Sequence, residues 1–361
     1  MTTNIIYGAG VYGEIFLKEL ESNNINIDYI IDEYTKKESI CNKDIKRLKE
    51  VSIKDAIIYI SITSPMAEVK VITLLKELGC EKIFSFTQTL NLFPKLIENC
   101  VNYTKTWYSE DINKMINTKK ISELKLLLSD KKSINLLDKI VRFRKYLKAE
   151  DYPLADLEAQ YFPSDIDLFS HLSKIRFVDG GAFIGDTIPE SIKGFHNANK
   201  EIDYIASFEP DKSNIFKLSE EIEKQKAKYN DINFFLFSSG LWSENTILEF
   251  SNDCGSASSI VNTINTNTIH IQVVSLDQIL IGSNPNYIKM DIEGAEKNAI
   301  EGMSKIITSQ SPVLAICLYH KPEDLWELPL LINKLNKNYN MYLRIYGSMG
   351  LELVLYCVPK D

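Results

Sequence analysis

Twice in this chain a short apolar run breaks into a glycine-rich turn and passes straight into a helical pattern. The first follows residues 4–7, as Gly8-Ala-Gly-Val-Tyr-Gly13 with Ile15, Phe16, Leu17 and Leu20 apolar behind it. The second follows residues 175–179, as Gly180-Gly-Ala-Phe-Ile-Gly-Asp-Thr187. Glycine lets a strand reverse tightly into a helix, and short runs that are apolar throughout belong to parallel strands covered on both faces. The expected class is therefore α/β. At roughly 100 to 200 residues per domain, 361 residues make two domains.

Residues 1–98 are expected to form a small Rossmann-like α/β domain, with strands at 4–7, 27–31, 57–60 and 82–86 and a helix over 69–78. Gly8, Gly10 and Gly13 would let a phosphate approach the helix N-terminus, and Asp32, at the end of the second strand, would accept a ribose hydroxyl. A nucleotide-sugar or similar phosphorylated ligand, NAD, and a structural or oligomerising role all remain open for this unit. Residues 99–170 are expected to be a helical connector. Between residues 112 and 150 it carries 11 Lys or Arg against 4 Asp or Glu, a local +7 that fits a solvated lysine-rich face or the steering of an anionic substrate.

Residues 171–361 hold seven strand-like runs, at 175–179, 204–208, 233–237, 287–290, 313–317, 341–346 and 351–357, with helices expected over 212–226 and 295–307. Ligands in such sheets bind beyond the carboxyl ends of the strands. Asp179, Glu209 and Asp291 should therefore share one rim. The last two strands are separated by Gly347-Ser-Met-Gly350, so a hairpin carrying the sheet's single antiparallel strand is expected.

Charge discriminates between cofactors at the second turn. Asp179 and Asp186 bracket it, and two carboxylates would repel a pyrophosphate while favouring the ammonium and sulfonium of S-adenosylmethionine. Glu209, 24 residues after Gly185, is placed to accept both ribose hydroxyls. The expected cofactor contacts are Asp179, Gly180, Gly181, Ala182, Phe183, Gly185, Asp186, Thr187 and Glu209.

Several stretches, in order, resemble the FkbM family of S-adenosylmethionine-dependent methyltransferases, from about residue 160 to 359. They include Gln160-Tyr-Phe-Pro-Ser-Asp165, Phe177-Val-Asp-Gly-Gly-Ala-Phe-Ile-Gly-Asp-Thr187, Phe208-Glu-Pro-Asp211, Ser275-Leu-Asp277, Ile288-Lys-Met-Asp-Ile-Glu-Gly-Ala-Glu296 and the run from Ala315 to Trp326. The resemblance implies a seven-stranded class I methyltransferase domain. It also implies methyl transfer, mainly to oxygen on sugars and other secondary metabolites, so that a sugar, nucleotide-sugar or glycoconjugate precursor in polysaccharide or other carbohydrate modification is the expected partner. Related sequences carry a histidine where this chain has Ile345.

An alcohol attacking a sulfonium methyl needs alignment and removal of its proton. Asp291 is the leading group for this, as a base or as a ligand to a divalent ion such as magnesium. His320 is the competing base because its ordinary pKa is nearest neutrality. Lys289 completes the expected catalytic set, and Glu293 is a further candidate metal ligand, although no compact metal motif is present. The polar stretches at 252–259 and 262–267 suit either a lid or a surface insertion. The rival readings are an NAD-dependent sugar oxidoreductase and a noncatalytic nucleotide-binding scaffold.

The net charge of -8, with only 5 arginines among 41 basic residues, argues against specific nucleic-acid binding. Six scattered cysteines with no CxxC and the lack of a signal-like or membrane-spanning run point to a cytoplasmic protein. A homo-oligomer is compatible with the sequence.

Overall fold

A computed structural model describes residues 3–104, 106–251 and 268–360. The polar stretches expected to form a lid or surface insertion, 252–259 and 262–267, lie outside the described residues. The chain divides into two compact units, one of residues 1–116, 135–157 and 345–352 and the other of 117–134, 158–344 and 353–361. Of the segment 99–170, expected as a connector, 99–116 and 135–157 thus group with the first unit and the remainder with the second. Among the described residues no helix is long and apolar enough to cross a membrane.

The first unit contains a six-stranded sheet made of β1 (Asn4–Tyr7), β2 (Tyr29–Ile31), β3 (Ser39–Ile40), β4 (Lys43–Lys46), β5 (Ile57–Ile60) and β6 (Lys82–Phe84), in the order β3-β4-β2-β1-β5-β6. Central β1 pairs in parallel with both β2 and β5, and its Ile5 and Ile6 are fully buried, as the apolar run predicts. The short β3 and β4 were not legible as strands, because Lys43-Asp-Ile-Lys46 has a single apolar residue and only edge-type burial. Helix Val11–Ser22 packs Phe16, Leu17 and Leu20 into a core that also takes Phe86, Trp107, Phe143, Tyr152 and Met349.

The second unit carries the expected seven-stranded sheet. Its strands are β7 (Lys174–Gly180), β8 (Glu201–Phe208), β9 (Asn233–Phe237), β13 (Tyr287–Met290), β14 (Val313–Cys317), β15 (Tyr339–Ile345) and β16 (Leu353–Pro359). The order is β15-β16-β14-β13-β7-β8-β9, with β9, β8, β7, β13 and β14 running parallel one beside the next and β16 antiparallel to β14. A separate three-stranded sheet joins β10 (Gly240–Leu241), β11 (Thr246–Ser251) and β12 (Thr268–Val274). The single helix expected over 295–307 is two, Glu296–Glu301 and Ser304–Gln310. The break falls at Gly302, where a β-carbon would lie 1.9 Å from the Trp242 carbonyl oxygen, so the backbones touch and no side chain fits.

Candidate active site

The sheet order explains why residues distant in sequence converge. Placing β13 beside β7 and β7 beside β8 sets the carboxyl ends of these three strands next to one another, with Asp291, the second glycine turn and Glu209 leaving them in turn. Gly181 (φ +76°) and Gly185 (φ +84°) occupy the left-handed region. A β-carbon on Gly181 would stand 1.9 Å from the Asp291 carbonyl oxygen, and the Asp291 N–H donates to Gly180 O at 3.1 Å. The turn and the end of β13 therefore form one piece of backbone. The N–H groups of Gly181 and Ala182 both donate to Phe208 O at 3.0 Å, which fastens the same turn to β8.

Two of the expected site residues, Asp179 and Lys289, meet beneath the glycine turn. Asp179 is fully buried and pairs with Lys289, whose Nζ lies 2.9 Å from Asp179 Oδ1 and donates to Gly181 O at 2.8 Å. Burial pushes Asp179 above the usual carboxylate range, only partly offset by Lys289. Burial alone would lower Lys289, but the charges of Asp179 and Asp291 overcome it and hold the ammonium protonated. Lys289 thus braces the glycine turn from beneath, with Asp179 buried behind it. The acids left at the rim are exposed Asp186, partly exposed Asp291 and Glu293.

Asp291 is held from three directions. Tyr319 donates to Oδ1 at 3.0 Å and Tyr161 to Oδ2 at 3.1 Å, while His320 Nε2 lies 3.2 Å from Oδ1. Burial would raise Asp291, yet the bond to His320 and the Lys289 charge carry it far below the usual range. His320 Nδ1 faces Glu296 Oε1 at 2.9 Å, and Glu296 is fully buried. Burial works against the imidazolium, but Glu296 and Asp291 outweigh it, so His320 stays protonated well above its ordinary value. With a carboxylate facing each ring nitrogen, the surroundings of His320 favour its charged form over the neutral ring a general base needs. The same geometry bears on the expected metal site. Both His320 nitrogens face carboxylates, and among the described residues no group of three or more His, Cys, Asp or Glu is placed to hold a metal ion.

At the end of β8, Glu209 Oε2 accepts from the Phe183 N–H at 3.0 Å, and Oε1 accepts from the Asp211 N–H at 2.9 Å and Asn214 Nδ2 at 3.3 Å. The carboxylate is largely buried, which raises its pKa, and these donors hold it across the turn. Phe183 adopts φ +47° and stays about two-fifths exposed, presenting its ring beside that carboxylate's partner N–H. Ala182 is buried, and Thr187 begins the helix Thr187–Asn197 that follows Asp186.

The N-terminal set lies in the other unit. Gly8 has φ +119°, and a β-carbon on Gly13 would meet Gly8 O at 2.1 Å, so these glycines serve close packing of the helix on the turn. Gly10 is the N-cap of helix Val11–Ser22. Asp32 Oδ2 accepts from the Ala9 N–H, and Oδ1 accepts from those of Tyr34 and Thr35, all at 2.8 Å. Both Asp32 oxygens are engaged in tying the turn to the following loop.

Sequence reasoning did not assign roles to Tyr161, Glu296 and Asp324. Tyr161 precedes the sheet by more than ten residues and carries no periodic signal. Glu296 could be found as the acid five residues after Asp291, on the first turn of the next helix, facing back toward its strand end. Asp324 is nearly buried near the same cluster, and its carboxylate accepts from the Lys321 N–H at 2.8 Å. Burial and the Glu296 charge push it up to about 7.

Residues 179–347 match the family model described as the Methyltransferase FkbM domain. Among solved structures, the chain is similar to a methyltransferase FkbM from Methylobacillus flagellatus KT, at 20% identity and a TM-score of 0.60, covering 99% of this chain and 90% of that one. That likeness establishes the fold. An rRNA methylase from Streptococcus thermophilus is also matched, at 12% identity and a TM-score of 0.31, over 52% of this chain and 87% of that one. No curated protein matches the sequence significantly.

Proposed function

We propose that the chain is an S-adenosylmethionine-dependent methyltransferase acting on a hydroxyl of a sugar, nucleotide-sugar or glycoconjugate precursor. The observation that carries the reading is the juxtaposition of the glycine turn, Glu209 and anionic Asp291 at three adjacent strand ends, inside the segment that matches the methyltransferase FkbM domain. The sugar rests on the family resemblance of the sequence.

The residues present suit such a donor. The solvent-reaching side chains at these strand ends, Asp186, Asp291 and Glu293, are acids, which favour a cationic ligand over a pyrophosphate. When bound, S-adenosylmethionine supplies an already activated methyl group. The protein's task is then alignment, water exclusion and acceptance of a proton. Glu209 has carboxylate lone pairs beyond those used by its backbone donors and would take the ribose. Asp291, strongly anionic, would accept a hydrogen bond from the attacking hydroxyl and so aim its lone pair. Its depressed pKa makes it an orienting acceptor first and a weak base, so the hydroxyl proton moves as the new bond forms rather than before it.

Isothermal titration with S-adenosylmethionine and S-adenosylhomocysteine tests this directly. Both should bind at one site per chain, and Glu209→Gln should weaken both by about tenfold or more, the worth of a hydrogen bond to a charged group. Folded protein that binds neither compound would refute the assignment.

A further inference from the structure

Tyr161 is a buried non-glycine residue with φ +71°, in the sparsely populated left-handed region. The surroundings fix it there. Its N–H donates to the Tyr356 hydroxyl at 3.0 Å, and its carbonyl accepts from the Tyr287 hydroxyl at 2.6 Å. Two buried phenols thus hold both backbone groups of one strained residue, and the result is that its own hydroxyl reaches Asp291 Oδ2 while its ring lies 5.5 Å from the Lys289 ammonium. The other oxygen, Oδ1, is served from the carboxyl end of the neighbouring parallel strand β14 by Tyr319 and His320, with Glu296 behind the ring.

We propose that Tyr161 and the Glu296–His320 pair are positioning residues of a single clamp on Asp291, Tyr161 acting on Oδ2 directly and Glu296 acting on Oδ1 through the His320 ring. Asp291 is thereby a fixed anion at the rim rather than a titrating base. A left-handed tyrosine is strained, and a fully buried carboxylate needs a charged partner. The groups facing His320 are Asp291, Glu293 (3.7 Å from Nε2), Glu296 and, through its charge, Asp324. Lys289 and the two tyrosines face Asp291. The clamp follows from geometry. Its effect on a cationic ligand rests on the methyltransferase reading.

The test has one arm that does not need the ligand. The chain has 4 histidines, and ¹⁵N-histidine-labelled full-length protein, with His320→Gln for assignment, reports the ring of His320. Both nitrogens should show imidazolium signals that do not titrate between about pH 6 and about pH 8, and Glu296→Gln should bring the midpoint into that window. A wild-type His320 that titrates in that window, or a midpoint untouched by Glu296→Gln, overturns the clamp. In the second arm, Tyr161→Phe should reduce the preference for S-adenosylmethionine over S-adenosylhomocysteine by about threefold or more, because the Asp291 carboxylate at the rim loses its donor on Oδ2 and is no longer fixed toward a cationic ligand. A preference unchanged within about twofold overturns the role of Tyr161. Should Tyr161→Phe fail to fold, Tyr319→Phe on the other oxygen gives the same readout. If the wild type binds neither nucleoside, the methyltransferase reading falls, while the histidine spectra still decide the clamp.

Discussion

The carboxyl of Asp324 shows how far a single residue at this site departs from its ordinary chemistry. It is nearly buried and pushed up to about 7, by burial first and then by Glu296. A carboxyl whose folded pKa is raised binds its proton more tightly in the native than in the unfolded chain. Between about pH 4 and about pH 7 the native state therefore holds more protons, and stability falls as pH rises across that window. Asp324→Asn keeps an oxygen for the Lys321 N–H and removes the charge. Urea unfolding should find it more stable than the wild type at pH 8, by at most about 4 kcal/mol, with the gain shrinking toward zero near pH 4. An equal gain at both pH values would mean that the effect is packing and not ionisation. The sequence made His320 and Asp291 visible as neighbours at strand ends, and it could not show that a third acid, Glu296, turns the histidine from base to cation. Ordinary pKa values belong to isolated residues, and here partners brought in by the fold decide the charge.

At the scale of elements, the glycine turn after β7 was legible because a turn that must leave room for backbone has to be written in glycine. The two-helix break at Gly302 was not, since helical periodicity runs through it and only the Trp242 carbonyl, from elsewhere in the chain, forbids a side chain. The hidden part of the site has the same cause: Tyr161 is positioned by Tyr287 and Tyr356, more than a hundred residues away. Gly181 and Gly282 separate the two demands placed on such a glycine. Both have φ near +77° (+76° and +78°), but Gly282 has open space around it, whereas a β-carbon on Gly181 meets backbone. Gly282→Ala should cost only the left-handed penalty, about 1 kcal/mol, and leave S-adenosylhomocysteine affinity unchanged. Gly181→Ala must also push the turn off the end of β13. It should cost more in thermal unfolding and abolish measurable binding by calorimetry; equal behaviour of the two variants would show that the close approach to Asp291 has no bearing on the ligand.

At the scale of the molecule, the seven strands of the second unit lie close to the runs its sequence marks, while the extent of the first unit does not follow from its strand signals. A boundary at residue 98 rests on where the strand signals stop, but the apolar core of that unit does not stop there. Of the 20 buried residues in its larger cluster, Cys100, Val101, Trp107, Met115, Phe143, Tyr152 and Met349 all lie beyond it. Met349 belongs to the segment 345–352, which the chain contributes between β15 and β16. There the Trp107 indole N–H donates to Met349 O at 2.9 Å, the Met349 N–H donates to the Tyr152 hydroxyl at 2.9 Å, and Ser348 Oγ donates to Thr63 O at 2.6 Å. Burial of one large apolar side chain is worth about 1.5–3 kcal/mol, so losing several of these exceeds the roughly 5–15 kcal/mol that stabilises a whole domain. A fragment of residues 1–98 should therefore lack a cooperative thermal transition and show collapsed amide dispersion in its ¹H–¹⁵N spectrum, despite containing all six strands of its sheet. A dispersed spectrum from that fragment would mean that the sheet, with its own helices, suffices, and that the later segments only cover it.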